Sequence, residues 1–199
     1  MSYRTVSGPY DYEAEPTKGS RFVARVRPVS DPDAAMVLVR GMEDPAWDHC
    51  CWAWRLRSGP TRSWDAGEPR GSAGRPILAQ IEGHALFDVA VVVLRHFGGT
   101  KLGVGGLIRA YGGTAGMALD RAPIVDVPDV VSLLVPYGWD DTQAVEAALL
   151  AAGAVTTHTD WGAGVVRHIT VEVERAEALI TNLRDRTSGR VLARPDETS

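Results

Sequence analysis

Along Ser20 to Ser30 (SRFVARVRPVS) apolar and polar positions alternate. Phe22, Ala24 and Val26 fall on one side and Arg21, Val23, Arg25 and Arg27 on the other, which predicts a strand with one apolar and one largely basic face. The period then changes. DPDAAMVLVRGM places Asp31 as a helix cap and Pro32 at the first helical position, predicting a short helix to about Met42. Alternation returns over His49 to Arg57, where Cys50, Trp52, Trp54 and Leu56 share one face and Cys51, Ala53, Arg55 and Arg57 the other; the two tryptophans assign the first face to the core. Ser58 to Pro76 holds four glycines and three prolines and reads as a hairpin followed by a long loop. A short helix (ILAQIEGHAL) follows, and then DVAVVVLRHF, Asp88 to Phe97, whose nearly unbroken β-branched run predicts a central strand covered on both sides.

Glycines crowd the next segment, FGGTKLGVGGLIRAYGGTAG. Leu107, Tyr111, Ala115 and Leu119 recur at steps of four and predict a helix from about Val104 to Leu119, with Gly105, Arg109, Gly112 and Gly116 on a different face. The glycines there allow the helix to approach the sheet closely, while Gly98, Gly99 and Gly103 shape the turn after the strand. The two prolines of Arg121 to Asp129 mark a linker, and domains are expected at 1–121 and 127–199. Beyond it, VVSLLVPYG, DDTQAVEAALLAAG, AVTTHTDWG, VVRHITVEVE, RAEALITNLRDRTSG and RVLA read as strand, helix, strand, strand, helix and a last short strand. That βαββα(β) order predicts a ferredoxin-like α+β domain.

Charge divides along the same line. Through Arg121 there are 15 Lys+Arg against 13 Asp+Glu, and from Ala122 onward 6 against 12, which together give the chain's net charge of -4. Only Lys18 and Lys101 are lysines among 21 basic residues, so arginine abundance by itself marks no site. Cys50 and Cys51 are adjacent, lack the loop spacing of a metal knuckle and provide no disulfide framework. No metal or other cofactor is expected. The first residues have no apolar signal core and no run approaches the roughly 20 apolar residues of a membrane helix, so the expectation is a cytoplasmic chain without a membrane partner.

Candidate chemistry gathers in the first part of the chain. A strand, a glycine turn and a helix start in that order present backbone N–H groups to an anion, and Lys101 sits in the turn, although neither nucleotide-binding glycine spacing is matched. The expected anion- or nucleic-acid-binding set is Arg21, His49, Arg75, Arg95, Lys101, Gly103, Gly105, Gly106, Arg109 and Tyr111. If the strands carrying Arg21 to Arg27 and Arg55 to Arg57 share a sheet, their arginines would form one positive stripe. Asp65 and Glu68 are read as ordering their loop, with an acid–base role as the alternative. No catalytic residue is assigned.

KGSRFVA (Lys18 to Ala24), DHCCWAWR (Asp48 to Arg55), DAGEPRGSAGRPIL (Asp65 to Leu78) and VVVLRHFGGTKLGVGGLIRAYG (Val91 to Gly112) resemble, in order and spacing, the signature blocks of the YigZ/IMPACT family. Two positions depart from the pattern: Ala66 stands where the family usually has a second acid, and Gly19 where it has a lysine. The resemblance implies an N-terminal domain with the left-handed βαβ fold of a ribosomal-protein domain and the GHMP kinases, and a C-terminal domain similar to the last domain of elongation factor G. It also implies a role in regulating translation. The expectation is a non-enzymatic regulator that binds RNA or a ribosomal component through the N-terminal domain, its acidic C-terminal domain meeting a protein partner. The alternatives are an enzyme, hydrolase or phosphotransferase, on a small phosphorylated substrate, and a pure protein-interaction module.

Overall fold

Seven of the eight residues of the strand β6 (Val89–His96) are buried, because helices cover both faces of the sheet it centres. The computed structural model describes residues 2–196 and divides into two units, Tyr3–Val127 and a second running from Pro128. In the first, the sheet order is β2 (Tyr10–Thr17), β3 (Ser20–Pro28), β6, β4 (His49–Arg55), β5 (Thr61–Trp64). Both β3 and β4 run antiparallel to β6, so they are parallel to each other and joined through α1 (Pro32–Gly41). Asp31 caps that helix, its carboxylate accepting from Ala34 N at 2.8 Å, and Pro32 opens it.

On one face Phe22, Ala24, Val26, Cys51, Ala53, Val91 and Val93 pack under α2 (Gly74–Gly83) and α3 (Val104–Arg121). On the other, Trp52, Trp54, Ala90, Val92 and Leu94 pack with Ala35 and Val39 of α1. Burying each large apolar side chain contributes about 1.5–3 kcal/mol, so the tryptophan face and its opposite both belong to the core.

Several sequence readings change. The expected linker is largely a strand, β7 (Ile124–Pro128), paired with β1 (Ser2–Val6). Neither β1 nor β2 shows in the hydrophobic pattern. β2 is an edge strand in which Tyr10, Tyr12 and Ala14 pack only partly against the core and the positions between are acidic. Gly112 and Gly116 face α2 rather than the sheet: added Cβ atoms would lie 3.6 Å from Pro76 Cβ and 2.7 Å from Gln80 Oε1. Gly105, expected with them, is exposed.

The single arginine stripe does not form. Registers place Arg21, Arg25 and Arg27 opposite His96, Val92 and Ala90 on the α1 side, whereas Arg55 pairs with Val89 and lies over the Phe87 ring on the opposite side. Acids from β2 also meet the first set, Glu13 binding Arg21 and Asp11 binding Arg27.

The second unit is a four-stranded sheet in the order β11 (Arg194–Pro195), β8 (Val130–Tyr137), β10 (Val165–Glu172), β9 (Val155–Trp161), antiparallel at each pairing. Two helices, α4 (Thr142–Ala152) and α5 (Val173–Arg186), supply Val145, Ala148, Leu149, Leu179 and Leu183 to its core. This is the ferredoxin-like α+β arrangement. Its last strand falls at Arg194–Pro195, not over RVLA, and α5 begins at Val173, within the segment read as strand.

Candidate functional site

The carboxyl end of β6, the start of β3 and the start of β4 lie side by side, and on the α2/α3 face Arg95 has Phe22 and His49 as direct cross-strand neighbours. The loop entering α2 closes over them. Asp65 fixes that loop: one carboxylate oxygen accepts from Ala73 N (3.0 Å) and Gly74 N (2.8 Å), the other from Gly71 N (2.8 Å). Burial alone would raise its pKa, but those N–H groups at the start of α2 outweigh it and hold the carboxyl below the ordinary carboxylate range. With both oxygens so engaged, Asp65 is no candidate for a general base.

Glu68, held by the same loop, is 9 % exposed. Its Oε1 accepts from Arg95 Nη1 at 2.6 Å and from the Tyr111 hydroxyl at 2.8 Å. Arg95 is 4 % exposed, donates a second, longer bond to Ser20 Oγ (3.4 Å), and has its guanidinium near the Phe22 and Phe97 rings, while its Nε is buried with no partner among the described residues. His49 Nδ1 donates to the Ala66 carbonyl oxygen at 2.9 Å, which leaves Nε2 facing Glu68 Oε1 at 3.7 Å. The Cys51 thiol donates to the Asp65 carbonyl oxygen, and burial pushes it up to about 12, so it is not a ready nucleophile. Burial likewise raises Tyr111 far above an ordinary phenol.

This cluster changes the roles of two predicted residues. Arg95 and Tyr111, expected to meet phosphate or stack on a base, are inside, because pairing with Glu68 is what makes their burial tolerable. Arg21 is at the surface but bonded through Nε and Nη2 to Glu13.

Apart from His49, which the cluster includes, the other predicted residues lie outside it. After β6 the chain passes Gly98, whose backbone touches Gly19 so closely that an added Cβ would fall 1.9 Å from Gly19 C. Gly103, with φ 72°, then starts α3 without a side-chain cap. Gly106 and Arg109 line a concavity of about 200 Å3 together with Thr17, Lys18, Leu102 and Ala110. Lys18 reaches it from the β2–β3 turn, where Lys18 and Gly19 both have positive φ (48° and 81°), the backbone a two-residue hairpin needs. Among the described residues neither Lys18 nor Arg109 has an acidic partner; Lys101 and Gly105 are exposed nearby in sequence, and Arg75 is exposed on the first turn of α2. Lys18 and Ser20 escaped the sequence reading of the site. Their only signal was position, a lysine and a serine flanking the glycine of a hairpin turn.

Among the described residues no cluster of three or more His, Cys, Asp or Glu is placed to hold a metal ion, and no helix is long and apolar enough to cross a membrane.

Fold and site thus define an α+β protein of two units, the first carrying a buried Glu–Arg–Tyr cluster beside an open cationic helix start. Residues 18–119 match the Impact N-terminal domain, and residues 137–190 match a domain of unknown function, DUF1949. The chain belongs to the IMPACT family. It is 41 % identical over 133 residues to a Thermus thermophilus protein described as "IMPACT family member in pol 5'region", covering 66 % of this chain and 73 % of that one. It is 29 % identical over 182 residues to "IMPACT family member YigZ" of Escherichia coli (strain K12), covering 88 % and 89 %. A solved structure described as "Crystal structure of an hypothetical protein" superposes with a TM-score of 0.77 at 27 % identity, covering 100 % of this chain and 98 % of that one.

Proposed function

We propose that this protein is a non-enzymatic regulator associated with translation that binds RNA, free or within the ribosome, through the first unit. One observation carries the reading: Lys18 and Arg109, from a hairpin turn and a helix, converge on one concavity at the open first turn of α3 with no acidic partner among the described residues. Each phosphate neutralised there releases counterions, and the exposed Lys101 adds a third cation near the same turn in sequence. Arg95 and Tyr111 tie β6 to α3, the helix that carries Arg109, through Glu68.

An enzyme acting on a small phosphorylated substrate is the weaker reading, because Asp65 has both oxygens committed to backbone N–H groups and Glu68 is bound to Arg95 and Tyr111. The test is co-sedimentation with ribosomes at low salt, using the full chain and a Lys18→Ala/Lys101→Ala/Arg109→Ala variant. The reading predicts pelleting that the variant loses. No pelleting by the natural chain, or equal pelleting by both, refutes it.

A further inference from the structure

The second unit displays apolar surface that its own fold does not use. Trp161, at the end of β9, stacks on Trp139 with ring centroids 5.7 Å apart and planes 14° off parallel, yet the two residues remain 67 % and 53 % exposed. Trp161 lines a concavity of about 690 Å3 with Tyr137, Asp160, Gly164, Arg190 and the exposed Leu192. The hairpin that presents it is held close: a Cβ on Gly164 would lie 2.8 Å from the Tyr137 carbonyl oxygen. An indole presented by a tight hairpin and stacked on a second indole from the turn after β8 is pre-organised, and exposed apolar surface of this kind marks an interface.

Charge decides what it meets. Among the described residues the concavity's only cation is Arg190, which donates twice to Asp141, from Nε at 3.2 Å and Nη2 at 2.6 Å. Asp160 lines the concavity, accepting from His158 and His168, and Asp140 flanks the Arg190 pair. The chain from Ala122 onward carries 12 acids to 6 basic residues. Such a field repels a phosphate backbone and attracts a cation, and the exposed face of a tryptophan is the best aromatic surface for one. We propose that the Trp139–Trp161 stack and its acidic rim dock a basic peptide segment of a partner protein, one arginine or lysine side chain lying against Trp161. This is independent of RNA binding by the first unit.

The probe is a fluorescein-labelled peptide of alternating glycine and arginine, titrated into the full chain at low salt, beside the same peptide with glutamine for arginine and a 12-residue oligouridylate. Trp161 is exposed, so its replacement leaves the fold intact, which the circular dichroism spectrum checks. The proposal expects Trp161→Ala to weaken the arginine peptide about tenfold or more and Trp161→Phe to weaken it less. Asp140→Asn should weaken it a few-fold, and the oligouridylate affinity should not respond to any of the three. Equal affinity in Trp161→Ala, equal losses in the alanine and phenylalanine variants, binding of the glutamine peptide as tight as that of the arginine peptide, or an oligouridylate affinity that falls with Trp161 overturns it.

Discussion

Replacing Arg95 by methionine removes the guanidinium while keeping an apolar stem beside Phe22 and Phe97. The Glu68 and Arg95 side chains are 4 % and 5 % exposed and 2.6 Å apart, so the substitution leaves a buried carboxylate with the Tyr111 hydroxyl as its remaining close donor. Breaking a buried pair from one side costs about 3–5 kcal/mol. The two ring contacts of the guanidinium, at 5.7 and 5.4 Å, are lost as well.

Adding Glu68→Gln removes the stranded charge but keeps a side chain that accepts from Tyr111, so the double variant should lose only the price of hydrogen bonds, about 0.5–1.5 kcal/mol each. The double variant is therefore expected to be more stable than Arg95→Met alone. Urea unfolding, followed through the amide resonances of β6 so that the first unit reports on itself, supplies both numbers. A loss under about 1 kcal/mol for Arg95→Met, or a double variant as unstable as the sum of its parts, refutes the reasoning.

Gly98→Ala forces a Cβ onto the Gly19 backbone at 1.9 Å and should cost about 3 kcal/mol or more, seen as a large drop in melting temperature. Gly116→Ala meets only the mobile end of Gln80 and gains up to about 1 kcal/mol of helix propensity, so its melt should be unchanged or higher. Asp65→Ala orphans three N–H groups at the head of α2 and should cost about 2 kcal/mol by urea unfolding. Because the Asp65 pKa is depressed in the fold, its contribution is complete above the unfolded value of about 3.9 and should fade as pH drops through the folded one. His168 shifts the other way: hydrogen bonds to Asp160 and then Asp196 raise it, so its contribution is full below about pH 6.5 and lost as pH rises through the raised value. Hydrogen exchange at β11, which Asp196 adjoins, should accelerate over that rise.

Elements with a strong period were legible in the sequence. The run from Val89 to Leu94 announced a strand covered on both faces, and Asp31–Pro32 announced the start of α1, because local chemistry decides both. What escaped depended on registration between distant segments. That Arg55 lies on the opposite face from Arg25 follows from the pairing of β3 and β4 with β6, which no local pattern encodes. Nor does a sequence show that Glu13 and Asp11 neutralise Arg21 and Arg27 from the neighbouring strand. Arg95 and Tyr111 look like surface chemistry until Glu68, 27 residues from one and 43 from the other, comes to rest between them. The glycine pattern predicts a turn at Gly98 and close approach along α3; close approach occurs at Gly98 itself, against the Gly19 backbone, and Gly112 and Gly116 meet α2 rather than the sheet, a contact set by how two helices share one sheet face.

The salt dependence of binding to a single-stranded RNA tests the central claim most directly, measured for the natural chain and for Lys18→Ala/Arg109→Ala. Each phosphate contact on a single strand contributes about 0.7 to the slope of log affinity against log salt. If Lys18 and Arg109 hold two phosphates at the concavity, the variant binds more weakly and its slope is shallower by about 1.4. Absence of binding at low salt, or an affinity and slope unchanged in the variant, would contradict the account.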